Sequence, residues 1–252
     1  MSIETKLAQL IGDLPAGTSE GVALGTGIAD GFDVYPTAIG DVAVSFNPEG
    51  VSSVDLADDT FTRRFETRFG RPLLRAEPPK IWARHIPQAL EEGRPGKLPV
   101  DLRSVTPFQA EVLSRTATIP KGEVRPYAWL ANEVRRPKAV RAAGSAVANN
   151  PIPLIIPCHR VVRSDGHVGN YSLGGPHNKE ELLAHEGAPP EWLEELAGKR
   201  VRLRANTSTG IACHPTCRAI RRSKESNVVD FRSLGDAVDA GYRPCELCRP
   251  TP

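Results

Sequence analysis

The chain has 252 residues, 40% hydrophobic and 25% charged, with a formal net charge of +2. That length suits two to three domains, and a composition so near the globular average excludes wholesale disorder. No run approaches the ~20 apolar residues of a membrane helix, and the opening MSIETKLAQLIGDLP has early acids and no long apolar core, unlike a secretory signal. A soluble, cytoplasmic protein is expected. Five cysteines, an odd number, argue against a closed disulfide framework.

The small net charge conceals a division along the chain. Residues 1–100 carry −4, whereas 101–190 and 191–252 carry +3 each. From Lys121 to Arg163 eight bases face two acids, and from Lys199 to Lys224 eight bases face none. Such stretches suit phosphate contacts, and equally a solvated face.

In chain order, the glycines of GVALGTGIADG read as a turn, because no Gly-Lys-Ser/Thr follows to complete a phosphate loop. Residues 32–56 read as short strands parted by Pro-Thr, Ile-Gly-Asp and Pro-Glu-Gly turns, with Val42, Val44 and Phe46 alternating as in a half-buried strand. Asp58-Asp59-Thr60-Phe61 then opens a helix with Phe61, Phe65 and Phe69 on one face, stopped at Gly70-Arg71-Pro72. EEGRPGKLP, around 91–99, reads as a linker. Thr106-Pro107 starts a further helix carrying Phe108, Val112 and Leu113. PYAWLANEV and KAVRAAGSAVANN follow, two short helices with the outline of a helix-turn-helix, though many such pairs are simply packed. The second would carry Lys138 and Arg141 among small residues (Ala139, Ala142, Ala143, Gly144, Ser145) that let a helix backbone approach DNA closely.

Asn150 to Val162, NPIPLIIPCHRVV, is the most unusual segment. Leu154-Ile155-Ile156 has the composition of a buried strand, which Pro157 breaks just before Cys158 and His159. A buried cysteine is usually an inert small hydrophobe. A histidine and positive charge beside it favour a reactive thiolate instead, and a cysteine hydrolase would use the same pair. In the tail, Cys213-x3-Cys217 and Cys245-x2-Cys248 form two close pairs suited to a tetrahedral zinc site, with a redox function for the second pair as the alternative. His214 is read as non-coordinating.

PCHRVV, preceded by NPIPLII and followed by GNYS and LLAHEG, resembles the O6-alkylguanine-DNA alkyltransferase family from about Thr106 to Gly187. The resemblance implies repair by single-turnover transfer of an alkyl group from O6-alkylguanine in double-stranded DNA, with O4-alkylthymine as an alternative substrate, to the protein's own Cys158. It implies that His159 polarises the thiol through a water, that Glu186 orients His159, and that Asn150 ties the helix-turn-helix to the active-site segment. Tyr127 would assist extrusion and protonate the leaving guanine. Arg141 would replace the flipped base, with Lys138, Ala142 and Gly144 on the DNA-facing helix. Tyr171 and Ser172 would line the guanine pocket. The chain is about one residue longer than the family pattern after Ser172, which unsettles the rim positions Leu173 and Gly174. The chemistry agrees with these roles: a thiolate suits displacement at a saturated carbon, a phenol assists the leaving base, and a base must leave the stack to be reached.

GIACHPTCRAI and GYRPCELCRP are similar to the metal-binding domain of the Ada family. This similarity implies one Zn²⁺ held by Cys213, Cys217, Cys245 and Cys248. It implies either that Cys213 accepts methyl groups from phosphotriesters or that the domain anchors DNA. Here the domain follows the alkyltransferase part, lacks most of the usual preceding helical segment, and brings no AraC-type helix-turn-helix, which speaks against a transcriptional activator.

The expectation is an α+β protein in three parts: a small ribonuclease-H-like sheet domain at 1–100, a helical winged helix-turn-helix alkyltransferase domain at 101–190, and a linker with an Ada-like zinc domain at 191–252. A monomer that binds DNA and no membrane is expected. The rivals are a zinc-dependent damage sensor, an alkyltransferase-like protein (these typically lack the cysteine present here) and a cysteine hydrolase, for which no oxyanion-hole motif is visible.

Overall fold

The computed structural model describes residues 18–251, so the reading of the opening fifteen-residue segment MSIETKLAQLIGDLP lies outside the described residues. The glycine run is not a turn throughout. Gly21 and Gly25 lie within α1 (Thr18–Thr26), and the turn begins at Gly27. Next come β1 (Asp30–Thr37), β2 (Gly40–Asn47) and β3 (Gly50–Leu56), an antiparallel meander to which β4 (Leu73–Arg75) adds in parallel beside β1. The sheet order is β3-β2-β1-β4.

Two sequence expectations change here. Pro36-Thr37 is the end of β1, paired with Asp41 and Gly40, rather than a turn. The central strand β2 is buried on both faces from Val42 to Asn47, not on one. Its Val42 and Val44 enter the apolar core, while Asn47 joins a buried polar cluster, donating to Asp30 at 3.2 Å and Asp101 at 2.9 Å. Arg71 and Arg103 neutralise those two carboxylates from the rim. A polar face can be buried this way only because every carboxylate has partners.

α2 (Phe61–Phe69) spans the three phenylalanines and ends at Gly70, although Phe65 alone of them is buried. The short α3 (Lys80–Ala83) and α4 (His85–Glu92) follow. The expected linker therefore starts inside a helix. Its remainder is strapped to the edge of β3, where Val51 donates to the Pro99 carbonyl at 2.9 Å and accepts from Asp101 at 2.7 Å.

α5 (Pro107–Thr116) has the expected start, a capping box between Thr106 and Gln109. A two-residue strand β5 (Arg125–Pro126) leads into α6 (Tyr127–Glu133), and a turn leads on to α7 (Val140–Ala148). Beyond a single turn of 3-10 helix at Cys158–Arg160, β6 (Val161–Val162) pairs in parallel with β5. α8 (Pro176–His185) and α9 (Pro190–Gly198) close this region, and Leu193 of α9 packs with Val124, Val162 and Leu183. The tail folds as β7 (Leu203–Asn206), β8 (Ile211–Cys213), β9 (Val228–Phe231), α10 (Leu234–Asp239) and β10 (Arg243–Pro244), with sheet order β10-β8-β7-β9. The architecture is α+β. Among the described residues no helix is long and apolar enough to cross a membrane.

Ile152, Leu154, Ile155 and Ile156 share a core with Val42, Val44, Val51 and Val54, so the first sheet is the floor beneath the segment leading to Cys158.

Candidate functional site: a buried cysteine and a four-thiol cluster

Leu154-Ile155-Ile156 is buried as expected, but it is not a strand. Pro151, Pro153 and Pro157 remove three N–H donors in seven residues, so no ladder can form. The chain closes on itself instead: Ile156 donates to the Ile152 carbonyl at 2.9 Å, and Cys158 to the Ile156 carbonyl at 2.8 Å. Asn150 staples this loop from within. Its Nδ2 donates to the Ile156 carbonyl at 2.9 Å, while its Oδ1 accepts from Ile152 N at 3.0 Å. Leu154 takes a φ of 68°, a strained value for a branched residue, held by complete packing around its side chain.

The loop delivers Cys158 at 3% exposure among Trp129, Ala143, Val147 and Val161. Burial pushes its thiol up, with the Asn150 amide and the Lys179 charge acting in the opposite direction. His159 Nε2 lies 2.9 Å from Glu186 Oε1. Burial pushes the imidazole down in spite of that carboxylate. Burial also acts to raise Glu186, yet the hydrogen bonds of His159 and Arg160 outweigh it and hold the carboxyl at about 2. An ionised carboxylate only accepts, so Nε2 of a neutral His159 carries the proton and Nδ1 keeps a free lone pair. Nδ1 is buried and has no other partner.

Arg160 locks this pair in place. Its guanidinium donates to both oxygens of Glu186 and to the carbonyls of Glu92, Gly93 and Ile119, at 2.6 to 3.1 Å. Gly93 is required where it stands, since a Cβ there would lie 2.3 Å from the guanidinium. Lys179, 1% exposed, spends its ammonium on the carbonyls of Val161 and Val168 at 2.6 and 2.7 Å, and burial lowers it to about 8. The sequence reading gives Lys179 no role and takes Arg160 only as a positive charge beside the Cys-His pair, not as the group that holds Glu186.

Of the residues singled out from sequence, Cys158, His159, Glu186, Asn150 and Tyr171 converge. The Tyr171 ring stands edge-on to His159 at 6.3 Å, and burial together with Cys158 raises its phenol well above the ordinary value. Tyr127, at the start of α6, is half-buried, and burial followed by the Cys158 thiol raises its phenol too. Gly144 faces the Tyr127 ring. Arg141 and Ala142 are exposed on α7. Lys138 is also exposed, but it sits in the turn before α7 rather than on the helix. Ser172 is exposed in a groove it shares with Leu173, Gly174, Arg64 and Arg68.

In the tail, the sulfurs of Cys213, Cys217, Cys245 and Cys248 lie within 4.8 Å of one another, all buried. Tetrahedral Zn–S bonds of about 2.3 Å put sulfurs roughly 3.8 Å apart, so the cluster is of the right size for one metal ion. The donor set fits as well: no disulfide closes either pair, and the backbone N–H of His214 points at Cys248 Sγ from 3.3 Å. Four thiols packed this closely can all be ionised only with a divalent cation among them.

Comparison with known proteins agrees with this division. Residues 107–188 match the family model of the 6-O-methylguanine DNA methyltransferase DNA-binding domain. Residues 201–251 match that of the metal-binding domain of Ada. The chain thus joins an alkyltransferase-type domain to an Ada-type metal-binding domain that follows it. The rat methylated-DNA–protein-cysteine methyltransferase is 53% identical over 83 residues, covering 32% of this chain and 40% of that protein. The bifunctional transcriptional activator/DNA repair enzyme Ada of Escherichia coli K12 is 34% identical over 172 residues, covering 66% of this chain and 48% of that protein. The chain therefore spans less than half the length of either relative. Among solved structures, Mycobacterium tuberculosis OGT in complex with DNA superposes with a TM-score of 0.51 at 26% identity, covering 66% of this chain and 98% of that one.

Proposed function

We propose that this protein repairs DNA by moving one alkyl group from O6-alkylguanine to Sγ of Cys158. The observation that carries the reading is a buried thiol followed directly by a histidine whose free Nδ1 is set by an ionised Glu186. Nδ1 takes the thiol proton, directly or through a water, and Glu186 stabilises the resulting imidazolium. The thiolate attacks the alkyl carbon. An S–C bond forms, the C–O6 bond breaks, and the electron pair goes to the guanine oxygen as Tyr127 protonates the base. A thioether has no hydrolytic exit, so each molecule reacts once.

Access to a buried thiol requires a flipped base. Arg141, long, charged and exposed among small residues on α7, fills the gap, and α6 and α7 serve as the helix-turn-helix of a winged domain. Ser172 and Tyr171 flank the extruded guanine. Double-stranded DNA is the partner, and the protein works as a monomer in the cytoplasm. The β3-β2-β1-β4 order with parallel β1 and β4 supports a ribonuclease-H-like assignment for the first domain, 1–100. The alkyltransferase domain is 101–190 and the zinc domain lies within 191–252, although α9 at their junction packs with the former. One Zn²⁺ in the four-thiolate site supplies charge neutralisation and holds the tail together. The four thiols pack as one buried cluster, which supports a structural role for the tail, with DNA anchoring or methyl acceptance at Cys213 as the alternatives.

Intact-protein mass after mixing with O6-methylguanine duplex tests the reading: a single methyl increment on the Cys158 peptide is expected, and none in Cys158→Ala. Turnover, or transfer persisting in that variant, refutes it. Arg141→Ala should slow repair of duplex far more than reaction with free O6-benzylguanine.

A further inference from the structure

The four-thiol domain does not hang from the end of the chain. Its Cys213–Cys217 loop is pressed against the segment Gly122–Arg125, and that segment touches the Cys158 site in two ways. Thr216 Oγ1, fully buried, accepts a hydrogen bond from Val124 N at 2.8 Å. Arg218 N donates to Glu123 Oε1 at 3.1 Å, while Glu123, itself buried, holds Arg125 by its other oxygen at 2.5 Å. Arg221 Nη1 donates to the carbonyl of Gly187 at 3.3 Å. On the inner side, Gly122 N donates to Glu186 Oε2 at 3.1 Å. Arg125 pairs with Val161, the residue that follows the Cys158–Arg160 turn.

Gly122 sits at the crossing of these contacts. It has a φ of 72°, and a Cβ there would lie 2.5 Å from the Glu186 carbonyl oxygen and 3.2 Å from Arg221 Nη1. Only glycine lets the three elements meet. Glu186 is therefore held by Arg160 from within the alkyltransferase domain and by Gly122 from a segment that the metal domain buttresses.

We propose that the metal-domain loop Thr216–Arg221 is a positioning element for the Cys158 site: by bracing Gly122–Arg125 and Gly187, it fixes the Glu186 carboxylate and with it the direction of His159 Nδ1. Thr216, Glu123 and Arg221 are positioning residues in this scheme. None of them touches the reacting atoms. The proposal rests on the reading of Cys158 as the alkyl acceptor and deepens it, giving the tail a task at the reaction centre that needs neither DNA contact nor a second methyl transfer.

The test uses the full zinc-loaded chain and free O6-benzylguanine, which removes DNA contacts from the comparison. Thr216→Val deletes the acceptor for Val124 N and keeps the side-chain volume; Thr216→Ser keeps the hydroxyl. With zinc content equal to wild type, Thr216→Val should lower the maximal rate of Cys158 benzylation about tenfold, within the ~10²-fold that misplacing a reacting group from a distance can cost. The half-saturating concentration should stay within about twofold, because binding of the base is untouched. Amide exchange at Gly122 and Val124 should accelerate, and Thr216→Ser should restore both rate and protection. An unchanged rate in Thr216→Val overturns the proposal, as does a rate loss that Thr216→Ser fails to restore. If Thr216→Val loses zinc, Arg221→Ala takes its place. That variant leaves every thiol and the Thr216 contact intact, and an unaltered maximal rate with it again overturns the proposal. Should wild type take up no benzyl group at Cys158, the proposed activity fails, and the positioning scheme is then judged on exchange at Gly122 and the His159 imidazole signals, which must change together in Thr216→Val.

Discussion

Cys158 and Cys213 are both buried to within a few per cent, yet their surroundings make opposite use of a sulfur atom. Cys158 lies in an apolar pocket with one imidazole beside it and no other thiol near, and burial holds it protonated at rest. Cys213 lies among three more thiols, and among the described residues no imidazole nitrogen joins that cluster. A lone thiol of the first kind can be ionised at the moment of reaction by a base whose own partner is fixed. Four thiols can be ionised permanently only if a cation stays among them. The first arrangement is therefore built for one event and the second for a resting state. What distinguishes them is the counter-charge: Glu186 and Arg160 stand behind His159, while the four-thiol cluster needs an ion from solution.

Removing that ion should have the largest effect on this contrast. The core of the tail is small, the four cysteines and Ile220 in one cluster and three alanines in another, with Leu203 the one large aliphatic of its strands that is almost fully buried, too little to fold alone. Structural zinc contributes on the order of 10 kcal/mol in such sites. Chelation should strip amide protection from β7 to β10 while β1 to β3 keep theirs. Full protection of the tail after metal removal would show that the thiols need no cation and that the contrast drawn above is wrong.

Glu186→Gln comes next. The change leaves the buried Arg160 charge without its counter-ion, at a cost of about 3 kcal/mol, and removes the charge that stabilises a protonated His159, which should slow transfer roughly tenfold or more. The pH dependence has a definite sign. Glu186 is held at about 2 against an ordinary 4.5, so the native state binds fewer protons than the unfolded one between those values. Its stabilisation is complete above about pH 4.5 and is lost as pH falls towards 2. Chemical denaturation across that range should show a decline in wild type that is shallower in Glu186→Gln. Parallel declines would mean that Glu186 is not ionised in the native protein.

How much of this was readable from residues depended on whether the signal was local. The Phe61/Phe65/Phe69 spacing, the Thr106-Pro107 start and the paired cysteines are short-range patterns, and each became the expected feature. The stretch Leu154–Ile156 misled because its apolar composition is that of a strand, while three flanking prolines forbade the ladder and Asn150 supplied the missing bonds. Lys138 misled by two residues, for the chain after Pro137 passes Lys138 and Ala139 before α7 begins at Val140. The acceptors of Arg160 and Lys179, and the bonds of Gly122 to Glu186 and of Val124 to Thr216, were illegible for another reason. Their partners lie 11 to 92 residues away, and a buried base looks like any surface base until its carbonyl acceptors are known.

The smallest predicted effect concerns what fastens the two cysteine sites to each other. Arg249, directly after Cys248, forms a two-pronged ion pair with Glu133 at the end of α6, at 2.8 and 2.7 Å, and stacks near Trp129 at 5.8 Å. The guanidinium is 53% exposed, so water and salt screen most of its attraction for the carboxylate. Thr216 and Glu123, by contrast, join the buried Val124 N–H and the buried Arg125 guanidinium, whose loss of a partner would leave polar groups unsatisfied. Arg249→Ala should therefore cost no more than about 1 kcal/mol, and most of that should vanish in ~1 M salt. Cys158 transfer to free O6-benzylguanine should be unchanged, because Trp129, buried beside Cys158, keeps its contact with Arg125 and the Gly122–Arg125 segment keeps its bonds. Thermal unfolding at low and high salt measures the first claim and the benzylation rate the second. A loss of several kcal/mol that persists in salt would make the exposed pair, rather than the buried Thr216 contact, the principal fastening between the domains.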